Sequence, residues 1–167
     1  MKIRPARRED ASSCVAIYAP YVQESAVTFE LQVPREEDMA VRLTHAKAAF
    51  VAEEEDRLLG YVYAHPFIAR AGARHTAELS LYLREDVARR GIGRELLVAL
   101  EEALRERAIS ILYAKVVVPQ KEEDETISLR SYHFHRAQGF QEVGRAHGCG
   151  RKFGRTYDMV WMEKVLA

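Results

Sequence analysis

The stretch from Thr76 to Arg107 constrains this chain more than any other. Residues 76–83 read as a strand, and Arg89-Arg90-Gly91-Ile92-Gly93-Arg94 follows before a helical pattern over 94–107. In that helix Leu96, Leu97, Leu100, Ala103 and Leu104 share one face, with Glu95, Glu101, Glu102 and Arg105 outside it. The first N–H groups of a helix lack intrahelical acceptors and carry the positive end of its dipole. Glycines let an anion approach that backbone and three arginines surround it, so the loop has the chemistry of a pyrophosphate site. No Lys-Ser or Lys-Thr follows, which excludes a nucleotide-hydrolase P-loop. Leu96 stands where a dinucleotide fingerprint needs its third glycine.

Around this unit the periodicity predicts a strand near Ile3 and a helix over 8–22 carrying Cys14, Ile17, Tyr18, Tyr21 and Val22. A loop over 25–33 leads to Pro34, which opens a second helix with Met39, Val41 and Leu43. Strands are expected over 48–52 and 58–65, joined by the acidic, solvated turn Glu53-Glu54-Glu55-Asp56-Arg57. An apolar strand over 111–118 precedes an irregular acidic connection, then a helix over 128–138 that Gly139 caps. The last strands are expected over 140–143 and 157–165, separated by a stretch containing Gly148, Gly150 and Gly154. The order β-α-α-β-β-β-α-β-α-β-β is that of an α/β chain, a mixed sheet covered by helices. No repeat or Pro/Gly/Ser-rich linker divides the 167 residues, so one domain over 1–167 is expected.

Charge removes other classes. Lys plus Arg number 25 and Asp plus Glu 25, so there is no generic electrostatic case for nucleic acid or an anionic membrane. Two cysteines, Cys14 and Cys149, make no disulfide framework and fit a reducing compartment. The first ten residues lack the apolar core of a signal peptide, and the apolar runs are too short to span a bilayer. A cytoplasmic chain is expected. His133 and His135 stand two apart on a helix and point to nearly opposite sides, so no metal site is expected.

Residues 76–83 with the Arg89–Arg94 loop resemble the acetyl-CoA signature of the GNAT N-acetyltransferase superfamily. Three further segments narrow this to its phosphinothricin and methionine sulfoximine acetyltransferase branch. Ser25-Ala26-Val27-Thr28-Phe29-Glu30 is similar to that branch's acceptor loop. Ser131-Tyr132-His133-Phe134-His135-Arg136-Ala137-Gln138-Gly139-Phe140 is similar to its Ser-x-x-x-His-x-x-x-Gly-aromatic helix. Gly150-Arg151-Lys152-Phe153-Gly154-Arg155 with Tyr157-Asp158 resembles its C-terminal segment. Two positions depart from the pattern: Ala88 replaces a usual Gln or Arg, and Ser128 a usual Asn.

The resemblance implies a GNAT fold, a mostly antiparallel mixed sheet with splayed central strands. It also implies acetyl-CoA as cosubstrate, a small amine as acceptor and a homodimer. The pantetheine arm would pair with backbone at Leu81, Tyr82 and Leu83. The pyrophosphate would lie on Arg89, Arg90, Gly91, Ile92, Gly93 and Arg94, with Ser128 and Ser131 helping to hold the cofactor. Glu78 aligns with the branch's catalytic glutamate. A carboxylate of reference pKa about 4.3 is a weak base for an ammonium, so Glu78 needs burial, a relaying water or an electrostatic role. The alternative is a strand carboxylate in a structural ion pair. His135, with Tyr132 second, is the candidate to protonate the leaving thiolate or orient the thioester. Arg70 and Arg74 are candidates for an acid group on the acceptor, because a guanidinium forks onto a carboxylate. Thr28, Phe29 and Glu30 would line the other side of the acceptor pocket. Other readings are a protein N-terminal or polyamine acetyltransferase and a non-catalytic CoA-binding module.

Overall fold

In the computed structural model, which describes residues 1–121 and 123–166, the chain runs β1 (Lys2–Pro5), α1 (Ala11–Glu24), α2 (Glu36–Thr44), β2 (Ala48–Glu54), β3 (Arg57–His65), β4 (Thr76–Leu83), α3 (Ile92–Arg105), β5 (Ile111–Pro119), α4 (Arg130–Ala137), β6 (Gln141–Lys152) and β7 (Arg155–Val165). The strands form one sheet in the order β1-β2-β3-β4-β5-β7-β6. Every neighbouring pair is antiparallel except β4 and β5, which are parallel. The mixed sheet predicted from the element order, and its mostly antiparallel pairing implied by the resemblance, are both present. Among the described residues no helix is long and apolar enough to cross a membrane.

Side chains alternate across a strand, and this sheet separates two cores. Ala77 and Leu79 of β4 and Ala114, Val116 and Val118 of β5 pack with Leu96, Leu97, Leu100 and Leu104 of α3. Each of those fully buried leucines contributes about 2 kcal/mol. On the opposite face Tyr61 and Tyr63 of β3 and Tyr82 of β4 pack under α1 and α2. Glu78 and Ser80 share Tyr82's face, and Lys115, between Ala114 and Val116, turns the same way.

Several local expectations are corrected. The glycine-rich stretch is not a break: β6 runs through it and pairs with β7 as a long hairpin. The ladder slips between Ala146 and Gly150, so His147, Gly148 and Cys149 oppose Asp158 alone. The buried Asp158 carboxylate accepts from Gly148 N–H at 2.7 Å, Gln120 Nε2 at 2.8 Å, Arg145 Nε at 2.9 Å and His147 Nδ1 at 3.2 Å. A side-chain acceptor that satisfies the bulged backbone replaces the missing ladder bonds. Glu101, expected outside α3, is buried because Lys164 Nζ at 2.5 Å and Arg105 at 3.2 Å neutralise it. Val41 is exposed on α2 and Ala40 is buried in its stead, while Met39 and Leu43 are buried as expected. Only Glu55 and Asp56 form the acidic turn, both at positive φ, while Glu53 bonds Arg4 and Glu54 bonds Arg90.

Candidate active site

The parallel ladder of β4 and β5 ends at Leu79↔Ala114. From Ser80 to Leu83, β4 keeps β3 as its neighbour, while β5 beyond Ala114 keeps β7. Gly60 lets the end of β4 lean onto β3, since a Cβ there would lie 2.3 Å from the Leu83 side chain. Tyr21 ties the same end to α1 by donating to the Leu83 carbonyl at 2.7 Å. The fork opens into a cleft of about 390 Å³ lined by residues 78–82 and 114–117, by Val27, Thr28, Phe29 and Glu30, and by Ser128, Ser131 and His135.

Glu78 stands at the mouth of the fork on the α1/α2 face. It is 9% exposed, and its Oε2 lies 3.0 Å from Lys115 Nζ. Phe67 stacks on Tyr113 at 3.9 Å between centroids, with Lys115 Nζ 5.9 Å from its ring. Lys115 escaped the sequence reading. Its available signal was a lone charge in Ile-Leu-Tyr-Ala-Lys-Val-Val-Val, an otherwise uncharged strand.

His135 approaches from α4, on the other face. Its ring is buried edge-on between Phe134 and Phe140, each 5.2 Å away. Nδ1 lies 2.8 Å from the Ser131 carbonyl, which only accepts, so Nδ1 carries the proton. Nε2 therefore presents a lone pair, and it has no partner among the described residues. Burial pushes the imidazole below its ordinary 6.5, against the smaller opposing effect of the Ser131 carbonyl. Nitrogen NMR is expected to show His135 predominantly neutral, with Nδ1 protonated, at neutral pH. An imidazolium at neutral pH would contradict this tautomer. Tyr132 is placed elsewhere: its hydroxyl donates to Glu142 at 2.9 Å and lines a second cavity of about 590 Å³, which shares Ser128 with the first.

The acceptor-side wall is built from behind. Tyr18 donates to Glu30 at 2.5 Å and accepts from the Thr28 hydroxyl at 2.6 Å; Arg42 also bonds Glu30. Burial pushes the Glu30 carboxyl up, but the Arg42 and Tyr18 hydrogen bonds outweigh it and hold the group below the usual range. Buried Lys152 donates to the Thr28 carbonyl at 3.0 Å. Phe29 lies flat on Gly150, where a Cβ would fall 2.1 Å from its ring, so the β6–β7 hairpin carries this wall.

At the other end of the fork, α3 begins at Ile92 with Gly91 at φ 80° as its N-cap and Arg89 at φ 69° before it. A Cβ on Gly91 would meet nothing, so the surface above this backbone is open. Arg89 and Arg94 are exposed, while Arg90 is held by Glu54 at 2.8 Å. Arg70 and Arg74 sit in an exposed turn after β3, and the described residues that line the cleft include neither. Among the described residues no cluster of three or more His, Cys, Asp or Glu has the spacing to hold a metal.

Residues 3–161 match the family model described as an acetyltransferase (GNAT) domain. The chain is 33% identical to a phosphinothricin N-acetyltransferase of Alcaligenes faecalis, over 98% of this chain and 82% of that one. A phosphinothricin acetyltransferase from Sinorhizobium meliloti, solved in complex with AcCoA, superposes with a TM-score of 0.86 at 29% identity, covering 99% of this chain and 88% of the other. A ribosomal-protein-alanine N-acetyltransferase from Brucella melitensis gives a TM-score of 0.86 at 32% identity, covering 99% of each chain. The forked parallel pair, the open helix N-terminus beside it and these likenesses agree: the chain belongs to the GNAT family of N-acetyltransferases and resembles its phosphinothricin and methionine sulfoximine members.

Proposed function

We propose that this chain transfers the acetyl group of acetyl-CoA directly to the α-amino group of a small amino-acid-like acceptor such as phosphinothricin or methionine sulfoximine. The observation that carries this reading is the fork, which joins the two faces of the sheet at Glu78. The residues present fit the cosubstrate. Ser80 to Leu83 offer a strand edge that β5 does not cover, Gly91 leaves room over its backbone, and Arg89 and Arg94 are exposed beside it. That chemistry supplies an activated acyl group and a thiolate leaving group.

Glu78 receives the acceptor's ammonium on the α1/α2 face and takes its proton, directly or through a water. Thr28, Phe29 and Glu30 form the facing wall. His135 lies on the thiol side and, with a bare Nε2, accepts from an amide N–H of the pantetheine arm and so orients the thioester rather than donating a proton. The freed amine attacks the thioester carbonyl and the C–S bond breaks. The thiolate, of ordinary thiol pKa about 8.5, departs and takes up the second proton shed by the nitrogen, directly or through water. An acetylated enzyme has no support in the cysteines. Burial pushes the Cys14 thiol up to about 12, and Cys149 is exposed on β6 away from the cleft lining.

Thiol release from acetyl-CoA, measured with phosphinothricin, methionine sulfoximine, methionine sulfone, ordinary amino acids, spermidine and short peptides, tests the reading. Turnover confined to the small amino-acid analogues is expected. Turnover on peptides or spermidine alone would replace the acceptor class, and bound acetyl-CoA with no turnover would make the chain a CoA-binding module.

A further inference from the structure

The geometry points to Lys115 as the residue that selects a zwitterionic acceptor, its ammonium taking the acceptor's carboxylate while Glu78 takes the acceptor's ammonium. This rests on the acetyl-transfer reading and goes beyond it by naming what recognises the acid group. Lys115 is the one Lys or Arg among the described residues lining the cleft. Arg42 and Lys152 act on the cleft wall only from behind, through Glu30 and the Thr28 carbonyl. Arg70 and Arg74 are outside the lining.

Lys115 shares Glu78's face, one residue past the last rung of the β4–β5 ladder, with 35% of its side chain exposed. In the free protein its Nζ occupies the place beside Glu78 that an acceptor ammonium must take. An α-amino acid carries an ammonium and a carboxylate on one carbon. Its arrival exchanges one ion pair for two and leaves no charge unpaired in the half-enclosed cleft. An amine without an acid group would set two cations against one carboxylate, which disfavours it.

The test compares kcat/KM for methionine sulfone, its primary amide, and the amine that lacks its carboxylate. The native protein is expected to favour the acid by about 30-fold. Lys115→Met should bring the three within a few-fold, mainly through KM for the acid, and Lys115→Arg should keep the preference. A Lys115→Met variant that retains the preference, or that loses activity equally on all three, overturns the proposal, because a lysine that only positions Glu78 would affect every acceptor alike. If the native protein binds acetyl-CoA yet acetylates none of the three, the acetyl-transfer reading fails. Calorimetric titration of the acid and the amide into the CoA complex then decides Lys115: tighter binding of the acid that Lys115→Met abolishes supports it, and equal affinities overturn it.

Discussion

Glu78→Gln is expected to lower kcat by about 100-fold to 1,000-fold, with the Kd for acetyl-CoA within a few-fold of native. The amide keeps the size of the carboxyl and loses its capacity to accept the ammonium proton. The separation of effects follows from the sheet. Glu78 faces α1 and α2, whereas the strand edge beyond Ser80 and the turn at Gly91 lie farther along the fork. The variant should fold, because Lys115, which loses its partner, is 35% exposed along its side chain and can be solvated. Thiol-release kinetics together with calorimetry of acetyl-CoA binding make the measurement. A near-native kcat would remove Glu78 from proton transfer.

Asp158→Ala should cost about 3 kcal/mol of stability, a fall in Tm of about 10 °C for a chain of this size. The carboxylate is 6% exposed at its side chain and accepts from four donors on two segments, Gln120 after β5 and three residues of β6, which the alanine would leave without their acceptor. The Gly148 amide, ahead of the Gln120, Arg145 and His147 hydrogen bonds, holds this carboxyl well below its ordinary 3.8, against the upward push of burial. A depressed folded pKa means that the unfolded chain binds the proton more readily. The stabilisation is therefore complete above 3.8 and shrinks as pH falls through the lower folded value. The difference in stability between native and variant protein should be flat near neutrality and narrow only in strong acid. The same hairpin places Gly150 under Phe29 and Lys152 on Thr28, so KM for the acceptor should rise as well. Thermal unfolding at several pH values checks the first effect and acceptor titration the second.

Much of this protein was legible in its sequence because the relevant physics is local. The stripe of Leu96, Leu97, Leu100 and Leu104 turns with the helix whatever it packs against. The turn into α3 was legible from Gly91 and Gly93, and Gly91 is its N-cap at φ 80°. The order of elements restricts the sheet to a mixed one, and the four-residue spacing of Ser131 and His135 puts them on one helix face. The misjudged glycine-rich strand had a local cause too, since glycine weakens a strand's signature even where a neighbour's carboxylate restores the pairing.

What only the tertiary structure decided is where separate segments meet. Glu78 and Lys115 are far apart in sequence, and their ion pair depends on the parallel register Glu78↔Tyr113 and on a ladder that stops one rung later. Asp158 acquires its role from a slip in the β6–β7 register, and Arg70 and Arg74 fall outside the cleft lining because the turn after β3 is exposed. The packing of Phe134 and Phe140 around His135 buries its ring, which pushes the imidazole below its ordinary value. Periodicity and end-group chemistry are properties of a segment. Register, burial and the place where two strands part are properties of the whole chain's packing, and they decide which charges face one another.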